Sequence, residues 1–148
     1  MAAIKQHRLL SDDEVLSITE CTDDQLRIVE EELGAIASKV SDGLYEPGTY
    51  LRLVKEGKLT GSVINLDNKA SVVVIHSLNA LNYLIVDGIV AINRCPLSTI
   101  FDSVEVLARS YKSKMIIFVT KLKAIARMAK ARGYKPTGIL FLKNALPA

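Results

Sequence analysis

The sequence predicts one α/β domain over residues 1–148, in which helices flank a mixed, mostly antiparallel sheet of about six strands. The length of 148 residues suits a single domain, and 49% hydrophobic residues are enough to form a sizeable core. Short apolar runs joined by tight turns occupy the chain from Tyr45 to Arg94, as in an antiparallel meander. The last third, Met115 to Lys143, has the pattern strand, helix, strand, which adds parallel character to the sheet.

Two capping-box sequences predict two helices near the N-terminus. Ser11-Asp-Asp-Glu14 predicts a short helix that ends at about Glu20. Thr22-Asp-Asp-Gln25 predicts a longer helix that ends at about Val40. Apolar residues recur at helical spacing in the longer helix and form one face: Leu26, Val29, Leu33, Ile36, Ala37 and Val40.

The middle of the chain predicts strands separated by turn signals. The strands are predicted at Thr49–Val54, Lys58–Leu66, Ala70–Ser77 and Tyr83–Ile92. Ala70–Ser77 is apolar almost throughout, as expected of a central strand. Within Tyr83–Ile92, Asp87-Gly88 predicts either a β-bulge or a hairpin turn.

The pattern changes at Arg94-Cys95-Pro96, where Pro96 suits the first position of a helix. Apolar residues then form one helical face: Leu97, Ile100, Phe101, Val104, Leu107, Ala108 and Tyr111. The closing unit begins with an apolar strand, Met115–Val119. Its helix carries Leu122, Ile125, Ala126 and Ala129 on one side, and Gly133 ends it.

Composition excludes several classes of protein. The apolar runs are too short to span a bilayer, and the first residues lack the apolar core of a secretory signal. Two cysteines are too few for a disulfide framework, and no Cys/His cluster has metal-ligand spacing. The sequence therefore predicts a reduced protein, cytoplasmic at synthesis, with no membrane span and no metal site.

Charge is unevenly distributed, although the formal net charge is only +3. The segment Asp12 to Glu32 is acidic, and no acidic residue follows Glu105. Ten basic residues do follow it: Arg109, Lys112, Lys114, Lys121, Lys123, Arg127, Lys130, Arg132, Lys135 and Lys143. One interpretation is mutual complementarity with a solvated basic face. The other is an anion site in the basic third, for a phosphorylated cofactor, an acidic protein or nucleic acid.

Two phrases in the chain resemble the GNAT family, the GCN5-related N-acyltransferases. Tyr50–Val63, with its Gly-Lys-Leu-Thr-Gly phrase, looks like that family's second and third strands. Thr120–Phe141, with an Ala-Ile-Ala helix and a Gly-Tyr turn, looks like its fourth helix and sixth strand. The resemblance implies a GNAT-like fold that binds acyl-CoA and lets an amine attack the thioester directly in a ternary complex.

The resemblance also implies a phosphate-binding loop of the form Arg/Gln-x-x-Gly-x-Gly/Ala before the third helix. The sequence there is Asn-Arg-Cys-Pro-Leu-Ser-Thr-Ile, in which no glycine follows Arg94 and Pro96 removes one N–H donor. The residues expected to contact a cofactor are Arg94, Ser98 and Thr99. An alternative alignment places the boundary at Leu78–Asn82, which lacks the motif too.

Two residues are candidates for proton transfer. His76, at the end of the central strand, suits a general base, or else a hydrogen-bonded structural histidine. Tyr134 suits the acid that such enzymes use, or else a core aromatic. Asp87 is a further carboxylate that suits either a base or a turn.

Two functions follow from the resemblance. The missing glycines favour a non-catalytic structural or binding protein that keeps the fold. This interpretation is extended by a similarity to GNAT-like proteins of short-tailed bacteriophages, one of them assigned to head assembly, and it implies virion proteins as partners and a place in the virion. The alternative is an active acyl-CoA-dependent N-acetyltransferase that uses acetyl-CoA.

Overall fold

A mixed sheet with helices on both faces organises the chain. The structure is a computed structural model that describes residues 5–8, 15–40, 46–120 and 122–137. Within these ranges the strands are β1 Lys5–Arg8, β2 Val15–Glu20, β3 Thr60–Leu66, β4 Lys69–Leu78, β5 Leu84–Ala91 and β6 Ile116–Ile117. The helices are α1 Asp23–Val40, α2 Thr49–Lys55, α3 Leu97–Ser110 and α4 Lys123–Ala131.

The six described strands lie in the sheet in chain order. Neighbours from β1 to β5 are antiparallel, whereas β6 pairs with β5 in parallel through Leu84↔Ile116 and Ile85↔Ile117. The register between β4 and β5 shifts, because Ile75 lies opposite Gly88 and His76 lies opposite Val86. Asp87 is therefore the extra residue of a β-bulge, one of the two alternatives that the sequence left open.

The two faces of the sheet carry separate cores. Val72 and Val74 of β4 face α3 and pack with Leu107. Val73 and Ile75 face α1 and pack with Val29. All six side chains are at most 1% exposed. A strand buried on both faces explains the nearly continuous apolar sequence of β4.

Local sequence signals are confirmed at several positions. The Thr22 capping box forms reciprocally, since Thr22 N donates to Gln25 Oε1 at 2.9 Å and Gln25 N donates to Thr22 Oγ1 at 3.2 Å. The turn between β3 and β4 places Asp67 and Asn68 at φ 50° and 63°. Gly133 follows α4 with φ 87°, as a helix-ending glycine does.

Two predicted elements are wrong. The short helix to Glu20 is instead strand β2, which pairs with β3 from Leu16 to Glu20. Thr49–Val54 is helical, not extended, because the Glu30 carboxylate accepts hydrogen bonds from Gly48 N and Leu51 N at the start of α2. The Gly-Lys-Leu-Thr-Gly phrase thus joins a helix to a strand instead of two strands.

The remaining predictions concern the strand before α4 and two segments outside the described residues. The strand expected at Met115–Val119 is limited to Ile116–Ile117. The Ser11-Asp-Asp-Glu14 capping box and the final strand up to Lys143 lie outside the described residues. No helix in the described part of the chain is long and apolar enough to cross a membrane.

Candidate functional site

A cleft of about 460 Å³ opens where β5 and β6 separate. β5 pairs with β6 only through its first two residues, Leu84 and Ile85, so the walls diverge after Ile85 and Ile117. Helices α1, α3 and α4 complete the enclosure. The lining is mostly apolar and consists of Leu33, Ile36, Val86, Asp87, Gly88, Ile89, Ala91, Leu97, Ile100, Phe101, Val104, Phe118, Val119, Thr120, Leu122, Ile125 and Tyr134.

The edge of β5 that faces this cleft has unused backbone groups. Within the described chain, no strand pairs with that edge beyond Ile85. The bulge at Asp87 bends the strand at the same point. Backbone N–H and C=O groups there need partners, and a ligand with amide or carbonyl groups can supply them. The cleft thus combines apolar walls with one polar edge, the unpaired backbone of β5.

Asp87 is the carboxylate in the cleft lining. Its Oδ2 accepts a hydrogen bond from Ser77 Oγ at 3.3 Å. The side chain keeps contact with solvent, yet desolvation by the surrounding protein raises the carboxyl pKa, against a smaller lowering by Ser77. Tyr50 of α2 lies close enough that the charges of Asp87 and Glu30 add to burial in raising the phenol pKa. A carboxylate in this setting suits a general base.

The N-terminus of α3 reaches the other end of the cleft through Leu97. Pro96 precedes the helix in extended conformation, no side chain caps it, and its first turn contains no acidic residue. Thr99 N already donates to Pro96 O at 3.0 Å, which leaves the N–H groups of Leu97 and Ser98 without an intrahelical partner. Free N–H groups and the helix dipole together favour an anion.

Arg94, Ser98 and Thr99 all lie at this helix start, as expected of cofactor contacts. Arg94 is exposed, and Ser98 and Thr99 are half-buried in the first turn. Their role in binding stays a prediction. The loop before them is fixed to the sheet, since Ile92 N donates to Ser71 O at 2.9 Å and the Asn93 side chain donates to Ala70 O.

Tyr134 contributes its ring to the cleft but directs its hydroxyl elsewhere. The ring makes edge contacts with Phe101 and Phe118, at centroid distances of 5.6 and 5.5 Å. The hydroxyl donates to Glu105 Oε2 at 3.3 Å. Burial, followed by the charge of Glu105, raises the pKa of Tyr134. The ring of Tyr134 thus forms part of the cleft wall while Glu105 engages its hydroxyl, and the role of Tyr134 as the acid stays a prediction.

Arg132 forms an ion-pair network that sequence reasoning missed. Its guanidinium donates to both Glu105 oxygens at 3.0 Å and also to Asp102. The network joins the end of α4 to α3 and fixes the carboxylate that holds Tyr134. No local pattern connects residues so far apart in sequence, so only the fold could reveal the pairing. Because its guanidinium is already paired with Asp102 and Glu105, Arg132 is not available to bind an anion.

His76 is buried away from the cleft. Only 1% of it is exposed, and its Nε2 shares a hydrogen bond of 2.8 Å with Ser62 Oγ. Its Nδ1 has no hydrogen-bond partner among the described residues. Burial lowers the pKa of His76 to about 4. The cleft lining in the described chain does not include His76, so the structure does not bring it together with Tyr134. Its role as a base stays a prediction without a geometric partner.

Comparison with solved structures identifies the architecture. No family model and no curated protein sequence matches the chain. A possible acetyltransferase from Clostridium difficile 630 aligns with a TM-score of 0.60 and 11% identity, over 89% of this chain and 99% of that chain. The chain has the GNAT fold. AAC(6')-Iy with the bisubstrate analogue CoA-S-monomethyl-acetylneamine gives a TM-score of 0.57 and 11% identity, over 89% of this chain and 99% of that chain.

A third GNAT-fold structure contains the intact thioester. It is a predicted acetyltransferase with acetyl-CoA from Clostridium acetobutylicum, with a TM-score of 0.54 and 9% identity, over 87% of this chain and 96% of that chain. At such identities the likeness establishes the fold, and the activity of this chain is a separate question.

These neighbours correct the first interpretation of function. They are acetyltransferases or possible and predicted acetyltransferases, some with CoA-type ligands, which contradicts a non-catalytic structural or binding protein and favours the enzymatic alternative. The similarity to phage virion proteins, with virion partners and location, is unsupported by these neighbours. The glycines of the implied phosphate loop are absent, but the uncapped N–H groups at the start of α3 are present without them.

Proposed function

We propose that the protein is an acyl-CoA-dependent N-acetyltransferase that acylates an amine. The observation that carries this proposal is the separation of β5 from β6 beside a bulge, which opens an apolar cleft that ends at an uncapped helix. Both ends of the cleft have chemistry suited to a CoA thioester. The helix start favours phosphates, and the bulge presents backbone groups and a carboxylate.

The residues at the helix start fit the phosphates of CoA. The N–H groups of Leu97 and Ser98 and the hydroxyls of Ser98 and Thr99 would hold them, with the Arg94 guanidinium close in sequence. An anion there meets no opposing carboxylate in the first turn. The free edge of β5 from Val86 to Ala91 would hold the amide groups of the pantetheine arm. Acetyl-CoA, when bound, supplies an acyl group activated as a thioester.

Asp87 is the residue proposed to accept a proton from the amine. An ammonium group has no free electron pair, so a base must remove its proton before attack. The Asp87 carboxylate lies at the bulge and contacts Ser77, next to the part of the cleft that α1 borders. Its raised pKa moves it from that of an ordinary carboxylate towards the working range of a base. Ser77 and the backbone of the bulge orient it.

Release of CoA thiol tests this assignment. AAC(6')-IG from Acinetobacter haemolyticus is an aminoglycoside 6'-N-acetyltransferase, so the amines to be tried include an aminoglycoside beside a polyamine and a peptide amine. We expect thiol release above the amine-free rate for at least one class. Asp87→Asn should reduce that rate by about 10²–10⁴ because the shape is kept and the base is lost.

The pH profile separates a base from a structural carboxylate. Activity should fall as pH decreases through the raised pKa of Asp87, since only the carboxylate accepts the proton. Ser77→Ala removes the hydrogen bond that lowers this pKa, so the acid limb should move to higher pH. An Asp87→Asn protein that keeps the wild-type rate would exclude Asp87 as the base.

A further inference from the structure

We infer that Leu33 of α1 sets the length of the acyl chain that the cleft accepts. This inference rests on the proposed function and adds the chemical class of the acyl donor. It begins from a close approach between a helix and the bulge. Gly88 follows Asp87 in β5, and a methyl group placed on Gly88 would lie 2.3 Å from Leu33 Cδ1. The leucine therefore occupies the space that any side chain at position 88 would need.

Leu33 is held firmly in that position. It is 7% exposed and belongs to the core cluster that α1 forms with β3, β4 and β5. Its neighbours in that cluster include Val29, Val63 and Ile75, of which none is exposed at all. Close packing of this kind leaves little freedom for a side chain to move aside. The same leucine nevertheless forms part of the cleft lining.

The next residue of the same helical face is placed differently. Ile36 also lines the cleft, but it is 48% exposed. The wall is thus buried and apolar at the bulge and exposed to solvent one turn further along α1. A group bound beside Gly88 meets the methyl groups of Leu33 first.

The acyl chain is the group that would be bound there. With the thioester carbonyl at the free edge of β5 and Asp87 beside it, the alkyl part extends from the bulge towards Leu33. An acetyl methyl needs little room. A butyryl chain must displace a packed leucine, and added methylene groups in a filled space are unfavourable. Leu33→Ala removes an isopropyl group at this point and opens space for the longer chain.

Calorimetric titration with acetyl-CoA, propionyl-CoA and butyryl-CoA tests the inference without a known acceptor. For the wild type, we expect Kd to increase about tenfold or more from acetyl-CoA to butyryl-CoA, the range typical of a methylene misfit in an apolar pocket. In Leu33→Ala the two constants should converge to within about threefold, as an opened pocket no longer excludes the methylenes. Leu33→Val, a milder truncation, should give an intermediate ratio and guards against loss of folding.

Leu26→Ala is the matched control. Leu26 lies on the same face of α1, is 4% exposed, and packs over Gly61 at a comparable site outside the cleft lining. Leu26→Ala should keep the wild-type ratio of the Kd for butyryl-CoA to the Kd for acetyl-CoA, while it loses about as much stability as Leu33→Ala. A Leu33→Ala ratio equal to that of the wild type would overturn the inference and leave the proposed function standing. Absence of binding by all three esters would overturn both.

Discussion

His76 illustrates how its surroundings decide what a titratable residue does. In an accessible site, a histidine at the end of a strand is a natural base, because its ordinary pKa lies near neutrality. Here the ring is 1% exposed and its hydrogen bond goes to Ser62. Burial penalises the charged ring, so that its pKa is about 4 and the residue stays neutral through the physiological range. Its measurable consequence is on stability.

The stability of the protein should therefore depend on pH through His76. In the unfolded chain the imidazole takes up a proton as pH falls below about 6.5, whereas in the folded protein it does so only near pH 4. Acid thus favours the unfolded state between these values. Lowering the pH from 7 to 5 should cost the wild type about 2 kcal/mol more than His76→Gln. Urea unfolding of both proteins measures this difference, and parallel pH profiles would contradict it.

The Asp87-Gly88 sequence alone does not decide between a hairpin turn and a β-bulge. Asp-Gly suits a hairpin turn as well as a bulge, and the two place the carboxylate in different surroundings. The distinction depends on the register between β4 and β5, which is set by the apolar residues on both sides of β4. Once the bulge is known, the approach of Leu33 to Gly88 follows from the packing of α1 on the same face.

At the scale of elements, α2 is the clearest case of tertiary structure overriding local pattern. Thr-Tyr-Leu-Arg-Leu-Val alternates as a strand does, and six residues are too few for periodicity to separate strand from helix. Glu30, which belongs to α1, stabilises the helical conformation of this segment. Its two oxygens accept from Gly48 N at 2.6 Å and Leu51 N at 3.2 Å, and they thereby satisfy donors that a helix start leaves free.

Removal of this cap should weaken the fold measurably. Glu30→Ala leaves both backbone donors without the carboxylate, and we expect the free energy of unfolding to fall by about 1–2 kcal/mol, as for other helix caps. The neighbouring Glu31 is exposed, so Glu31→Ala serves as the control and should stay within about 0.5 kcal/mol of the wild type. Denaturant unfolding compares the two variants. Equal effects would show that the cap contributes nothing beyond helix propensity.

The error at β2 has a related cause. The capping-box sequence upstream suggested a helix up to Glu20, yet Leu16 and Ile18 alternate with Ser17 and Thr19. This alternation is the strand signal, and the pairing of β2 with β3 makes use of it. Where a start signal and a periodicity disagree, the periodicity over the paired residues was the better guide.

At the scale of the whole molecule, long, strongly patterned segments were predictable and contacts between elements were not. The central strand β4, the helix α3 and the Gly133 end of α4 follow from apolar spacing and turn chemistry. The cleft depends on where β5 and β6 separate, a property of the assembled sheet that no segment encodes by itself. The Arg132 network, which joins α3 and α4, is likewise visible only in three dimensions.

The loop before α3 lacks glycines, yet the helix start that follows it keeps free N–H groups. A sequence motif records one way of presenting backbone N–H groups to phosphate. The physical requirement is a set of free donors at the positive end of a helix. Leu97 and Ser98 meet that requirement at the edge of the cleft, with Pro96 placed before the first helical residue. The proposed acetyltransferase activity therefore depends on whether this helix start holds CoA.

Titration of acetyl-CoA and CoA into the wild type and Ser98→Glu by calorimetry tests that claim most directly. We expect binding by the wild type, and at least about tenfold weaker binding by Ser98→Glu, because a carboxylate at the helix start repels the CoA phosphates and occupies their site. Ser110→Glu adds the same charge at the far end of α3, which lies outside the cleft lining, and should bind as the wild type does. No binding to the wild type at millimolar CoA, or equal weakening by both variants, would contradict the account.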